Sequence, residues 1–411
     1  MSDTNLSPLL ALRIIQALGG PGTPPEEGLQ HFSVGLDPYL NVLDDEYLDR
    51  YIQYGGASFK MVVGIYGGGK THFLYSLRDR ARAKHYAVSY VSLKSSGESP
   101  FYALDLVYKA IAAGLLPPDD GTDQHIDRGI RSFLRAWYGK RLQTYQTQEM
   151  SLDRARECLA DDIRQIDLPN LNYRTAVRKA LESYHNNRQE AFDQVCQWLQ
   201  GEGFDRRALQ HYGINQKLDR STAFPMIRAM VRMVRELGYS GLVVLLDEAE
   251  RIPSLSTRNR EQLLSNLREM IDECGQSSFE GMFIVYAVPD QNFLEGRTQV
   301  YEALKQRLST VFTEINPTGV KVMLEQTVGD HTMFLHTLGT KLAQIYEVAY
   351  QCSFDAQELN EMVIMVADWA EDQRFGDEGY KRLFVQTMVA GLHYLNHHGI
   401  CPTLTEITRK P

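Results

Sequence analysis

The chain has 411 residues, 43% of them apolar and 23% charged, which excludes wholesale disorder and leaves room for two or three domains with a sizeable core. A net charge of −9 excludes a globally basic nucleic-acid binder, though not a local basic patch. Five scattered cysteines (Cys158, Cys196, Cys274, Cys352, Cys401) form no C-x-x-C pair, so a disulfide framework or zinc knuckle is not expected and a reducing cytoplasm is.

The opening Met-Ser-Asp-Thr-Asn-Leu carries no basic segment followed by an apolar one, so no secretory signal is expected. Leu9, Leu10, Leu12, Ile14, Ile15 and Leu18 make a short amphipathic pattern, which the Gly- and Pro-rich residues 19–25 stop. Residues 1–28 therefore read as an N-terminal helix and linker. A second helix is expected over 38–54, a buried strand over 60–65, a helix over 70–84 and an alternating strand over 86–93. From about 99 to 235 the pattern is helical and mostly polar. Residues 241–246 form an apolar run that suits a central parallel strand, 261–274 are helical, and 282–288 form another buried strand stopped by Pro289. Neither apolar run approaches the roughly 20 residues a membrane span needs. Strands alternating with helices predict an open α/β sheet. Beyond Pro317 only helical periodicity is visible. The expected organisation is a first core segment at 29–116, a helical insertion at 117–218, a second core segment at 219–315 and a helical, lid-like domain at 316–411.

Gly64-Ile65-Tyr66-Gly67-Gly68-Gly69-Lys70-Thr71 matches G-x-x-x-x-G-K-[ST] in full, with a strand before it and a helix after it. The glycines permit a tight turn that brings backbone N–H groups to phosphate oxygens, and the helix N-terminus favours anions. Lys70 would reach the β- and γ-phosphates, and the Thr71 hydroxyl would coordinate Mg²⁺. His72 follows, within reach of phosphate or of the adjacent strand. Downstream, residues 242–246 end in Asp247-Glu248. In a phosphate-loop sheet Asp247 would hold the Mg²⁺ shell and Glu248 would polarise the attacking water as general base. Adjacent acids at this point suit a hydrolytic enzyme, and the absence of Asn-Lys-x-Asp favours ATP over GTP. Lys70 and Asp247 lie 177 positions apart. A compact sheet with short crossovers needs well under about 100, which is why the insertion is expected.

Further nucleotide contacts are expected at Asp290, which either senses the γ-phosphate or serves as a turn residue. Arg307 would be an arginine finger, in this subunit or toward a neighbour. Arg382 would fold back over the nucleotide. Phe32, Val34 and Gly35 either wall the adenine or simply pack. In the insertion Arg128, Arg131, Arg135, Lys140 and Arg141, with Trp137 and Tyr138 between them, form the best nucleic-acid candidate, double-stranded DNA included, or else a solvated helix face.

These features resemble the AAA+/STAND branch of P-loop ATPases, and in finer detail the BREX-system P-loop ATPases (BrxC/BrxD-like ATP-binding domain). The residues that carry the resemblance are His31-Phe32-Ser33-Val34-Gly35, the loop from Gly64 through Leu74, Trp198-Leu199-Gln200-Gly201-Glu202, Gly238-Tyr239-Ser240-Gly241-Leu242 and Asp247-Glu248-Ala249-Glu250-Arg251. It covers roughly residues 8–390. It implies antiphage defence, with ATP hydrolysis coupled to a multiprotein complex near DNA. The expected fold is an AAA+-like α/β P-loop domain with a parallel sheet, a helical insertion and a helical C-terminal domain. The expected function is an oligomeric, Mg²⁺-dependent ATPase that works with other defence-complex proteins and away from membranes. The alternatives are a low-turnover ATP switch that scaffolds assembly, and a DNA-loading ATPase resembling replication initiators.

Overall fold

The computed structural model describes residues 6–93, 101–119, 127–203, 205–247, 256–276, 278–289, 299–326, 330–374 and 379–408. Helix α1 (Pro8–Gly19) is capped by the Ser7 side chain. Helix α2 (Asp37–Val42) runs on as a π-helix over Leu43–Ile52, so the single helix expected at 38–54 changes its winding midway. Strand β1 (Ala57–Val63), α3 (Lys70–Ala83), β2 (Ala87–Ser92), α4 (Leu104–Ala113) and the short β3 (Leu115–Leu116) complete the first core segment. The insertion holds α5 (Ile130–Thr147), α6 (Leu152–Gln165), α7 (Leu171–His185), α8 (Gln189–Leu199) and α9 (Arg206–His211). The core resumes with α10 (Ala223–Glu236), β4 (Leu242–Asp247), α11 (Thr257–Gly275), β5 (Met282–Val288), α12 (Gln299–Arg307) and β6 (Lys321–Met323). Helices α13 (His331–Tyr350), α14 (Ala356–Asp372), α15 (Tyr380–His398) and α16 (Leu404–Ile407) follow.

The sheet order is β3-β2-β4-β5-β1-β6. Five strands run parallel, and β3 lies antiparallel against β2 at one edge. Side chains alternate across it as strand geometry requires. Val62, Val243, Leu245, Phe283 and Val285 pack against α3 and the π-helix. Met61, Val63, Val244, Ile284 and Tyr286 pack into the larger core shared with α4, α10, α11 and the insertion. The result is a three-layer α/β/α arrangement. Because Val63 is level with Val288 and Met323, and Ser92 with Asp247, the parallel strands end along one edge.

One expectation needs correction. The chain beyond Pro317 is not purely helical: β6 pairs with β1, so the sheet extends past the expected boundary at 315. Three residues are too few to show a period-2 pattern. The N-terminal helix packs into the helical body. Ala11, Ile14, Ile15 and Leu18 are buried in a second core with Leu335, Leu338, Leu342, Phe384 and Met388 of α13 and α15. Each large apolar side chain buried there contributes about 1.5–3 kcal/mol. Residues from both ends of the sequence thus build one helical body beside the sheet.

Candidate nucleotide site

The loop between β1 and α3 lies at the sheet edge where the parallel strands end. Gly67 and Gly69 have φ of +73° and +98°, values that a side chain would strain. Lys70, 6% exposed, sends its ammonium back along the loop to the carbonyls of Gly64 (2.9 Å) and Ile65 (3.1 Å). The Thr71 hydroxyl donates to Asp247 Oδ2 at 2.7 Å. The Tyr90 hydroxyl of β2 donates to the same oxygen, also at 2.7 Å. Asp247 is 1% exposed, and the two donors offset the cost of burying its carboxylate. Burial, and secondarily the charge of Asp247, hold the Tyr90 hydroxyl far above its ordinary range, so it stays a donor.

The loop is roofed by the start of α15. A side chain on Gly379 would run into the Tyr66 carbonyl, so backbone meets backbone there. Lys381 donates to the Gly68 carbonyl at 3.2 Å and lies 3.9 Å from Glu325, which follows β6. Burial lowers the Lys381 pKa, and the Glu325 carboxylate opposes this. The Arg382 guanidinium stacks 4.9 Å from the Tyr66 ring centre and bonds the Pro21 carbonyl of the N-terminal linker.

A cavity opens from this loop between linker and helical body. Its walls are Phe32, Val34 and Leu36 from the linker, Leu18 from α1, Phe334 and Leu338 from α13, and Val385 from α15. Tyr66, the glycines at 67–69, Lys70, Thr71, His72, Asp247, Lys381 and Arg382 line its other end. One end is therefore polar and cationic, the other apolar, which suits a phosphorylated ligand with a flat base. His72 bonds Ser33 Oγ at 2.7 Å and packs on Phe32 at 5.0 Å, tying linker to α3. Burial pushes its imidazole down to about 4, helped by the Lys381 and Lys341 cations. Lys341 of α13 holds the Ser33 carbonyl at 2.7 Å.

A family model described as "BREX system ATP-binding protein BrxC/D" matches residues 7–408. The chain belongs to that family. No curated protein and no solved structure matches it. Family membership makes ATP the expected ligand and a defence system the expected setting, and the cavity combines a phosphate-type end with a base-type end.

The sequence-derived residues gather unevenly. Tyr66 through His72, Asp247, Phe32, Val34 and Arg382 share the cavity. Gly64 and Ile65 turn their carbonyls to Lys70, and Gly35 sits beside the Phe334 ring. Glu248 and Asp290 lie outside the described residues. Asp272 holds the Arg307 guanidinium at 2.5 and 3.1 Å, tying α12 to α11, and Arg307 is not among the residues that line the cavity. Trp137 and Tyr138 fall on the helix's core face, 7% and 8% exposed. Arg128 pairs with Glu26, Arg131 with Asp193 and Arg141 with Asp162, Arg135 lies over the Tyr184 and Phe192 rings, and Lys140 is half-buried on the same helix. Sequence reasoning missed Tyr90, Lys381, Glu325, Phe334 and Val385. None of these carried a local signal: Tyr90 shares its strand with the hydroxyl residues Ser89 and Ser92.

Among the described residues no helix is long and apolar enough to cross a membrane.

Proposed function

We propose that this family member is a phosphate-loop ATPase that hydrolyses ATP with Mg²⁺ and uses the cycle to move its helical body against its sheet. The observation that carries the reading is the convergence of Thr71 and Asp247. They come from elements on either side of β5, yet their oxygens meet 2.7 Å apart beside the loop. Two hard oxygen donors so placed fit Mg²⁺, which would neutralise charge developing on the phosphates. Thr71 and Asp247 would hold the ion. Lys70 and the loop N–H groups would bind the phosphate oxygens, and the linker and α13 would sandwich the adenine. Glu248, next in sequence after Asp247, would take the proton from the attacking water.

Lid contact gives the cycle a direction. Gly379, Lys381 and Arg382 touch the phosphate loop itself, so occupancy of the loop is felt at the start of α15. The same closeness supports a second reading, a slow switch that keeps its nucleotide. Replacement Glu248→Gln separates the two. An ATPase loses phosphate release by about 100-fold or more while retaining bound ATP through gel filtration, given the usual 10²–10⁴-fold worth of a general base. A switch shows little release before or after the change. Unaltered, brisk release in the variant would remove Glu248 from the mechanism. Assembly into oligomers, work with other defence proteins and action on DNA belong to the same proposal as its biological setting, and the internal pairing of the α5 arginines gives DNA binding no support from that helix.

A further inference from the structure

The Asp247 carboxylate has a hydroxyl partner that no motif predicts. Tyr90 stands on β2, the strand paired with β4, and in the register of that pair Tyr90 lies opposite Leu245 while Ser92 lies opposite Asp247. Its hydroxyl therefore reaches two residues along the strand, about 6.6 Å of rise, to meet Asp247 Oδ2 at 2.7 Å. Among hydroxyl side chains only tyrosine spans that gap; a serine or threonine at 90 would fall short. The ring is steadied by Tyr75 of α3, with centroids 4.8 Å apart. Arg78 in turn lies 4.6 Å from the centre of the Tyr75 ring.

Thr71 and Tyr90 both donate to Asp247 Oδ2, but they differ in what else they can do. Thr71 lines the cavity, and under the proposed function its oxygen is a metal ligand. Tyr90 is not among the residues that line the cavity. Its hydroxyl serves the carboxylate from behind, pinning one oxygen and with it the plane of the group. Ligating carboxylates depend on such outer partners for orientation.

We propose that Tyr90 is a positioning residue for the metal-binding carboxylate Asp247, setting the affinity of the site for Mg²⁺ in the ATP complex. The inference rests on the metal role given to Asp247 under the proposed function.

The test is ATP binding by titration calorimetry on the full chain, in EDTA and at graded Mg²⁺, for the wild type, Tyr90→Phe, Asp247→Asn and the double variant. Phenylalanine keeps the ring against Tyr75 and removes only the hydroxyl; circular dichroism in EDTA checks the fold. The expected result is ATP affinity in EDTA within about twofold of wild type for Tyr90→Phe, and a Mg²⁺ concentration for half-maximal tightening raised about 10-fold or more, the usual loss when an outer partner of a ligand is removed. The double variant should show no further shift beyond Asp247→Asn, because Tyr90 acts only through that carboxylate. If Asp247→Asn shifts the dependence and Tyr90→Phe does not, the inference is overturned and the proposed function stands. If neither does, the metal role of Asp247 falls and the inference with it. A Tyr90→Phe loss of equal size in EDTA and in Mg²⁺ would make the tyrosine a packing residue only and overturn the inference.

Discussion

Under the proposed function one end of the cavity takes the phosphates and the other the base, and the two ends are built in opposite ways. The phosphate end comes mostly from one contiguous stretch, residues 66–72, with Asp247 added from the end of β4 and Lys381 and Arg382 from the start of α15. The base end has no such stretch: Leu18, Phe32 and Val34 come from the N-terminal part of the chain, and Phe334, Leu338 and Val385 from about 300 positions later or more. The phosphate end is held by the backbone conformation of its own loop. The base end exists only because α1 shares a core with α13 and α15. A ligand that fills both ends therefore links the rigid sheet edge to the helical body, and the two ends should fail differently when altered.

The largest expected effect is at the phosphate end. Lys70→Ala removes the buried ammonium, and a charged hydrogen-bonding group of this kind is worth about 1.5–3 kcal/mol, roughly 10- to 100-fold in affinity. ATP and ADP binding should both weaken, with ATP hit harder, while adenosine binding should stay within about twofold. Fluorescence competition with the three ligands measures this. An equal loss for adenosine would mean that the two ends are not separable. Next in size is the seam between them. Gly379→Ala places a methyl group against the Tyr66 carbonyl, closer than a Cβ can sit, so the start of α15 must back off the loop. Arg382 and Val385 move with it. Forced overpacking of this kind costs about 1–3 kcal/mol. All adenine ligands should therefore weaken by a similar factor, on the order of 10-fold, adenosine included. Undiminished adenosine binding would show that α15 does not shape the base end.

The same contrast explains what could be read from the residues alone. The loop, Asp247 and the strand at 282–288 are local patterns whose chemistry is carried by neighbouring residues, and the structure gathers the loop and Asp247 in one place. Phe32, Val34 and Arg382 were legible only as possibilities, because whether an apolar or basic residue faces a ligand depends on which distant helix it meets. Phe334, Val385 and Lys381 had no local signature at all; on α13 and α15 they look like any other amphipathic positions. The arginines at 128–141 are ambiguous for the converse reason. A basic helix face reads the same whether it meets DNA or the acids of adjoining segments, and Glu26, Asp193 and Asp162 answer three of them. β6 escaped because three residues carry no periodicity, although they place Leu324 and Glu325 against the phosphate loop.

The smallest effect at neutral pH is the one that ties the two ends together. His72 belongs to the phosphate end by sequence, yet its ring bonds Ser33 and packs on Phe32 of the base end. Its folded-state pKa is about 4 against an ordinary 6.5, because burial disfavours the imidazolium and the Lys381 and Lys341 cations add to that. Below 6.5 the unfolded chain takes up a proton that the folded chain refuses, so stability falls as pH drops from 6.5 toward 4 and is fully present above that window. Replacement His72→Gln keeps a hydrogen-bonding group beside Ser33 but cannot titrate. The variant and wild type should therefore melt alike at about pH 7.5, apart from a constant offset, and their thermal midpoints should converge or cross as the pH is lowered through about 6 and 5. Other titrating groups contribute equally to both chains and cancel in the difference. Parallel midpoint curves from about pH 7.5 to 4.5 would mean that the imidazole is not held neutral by its burial.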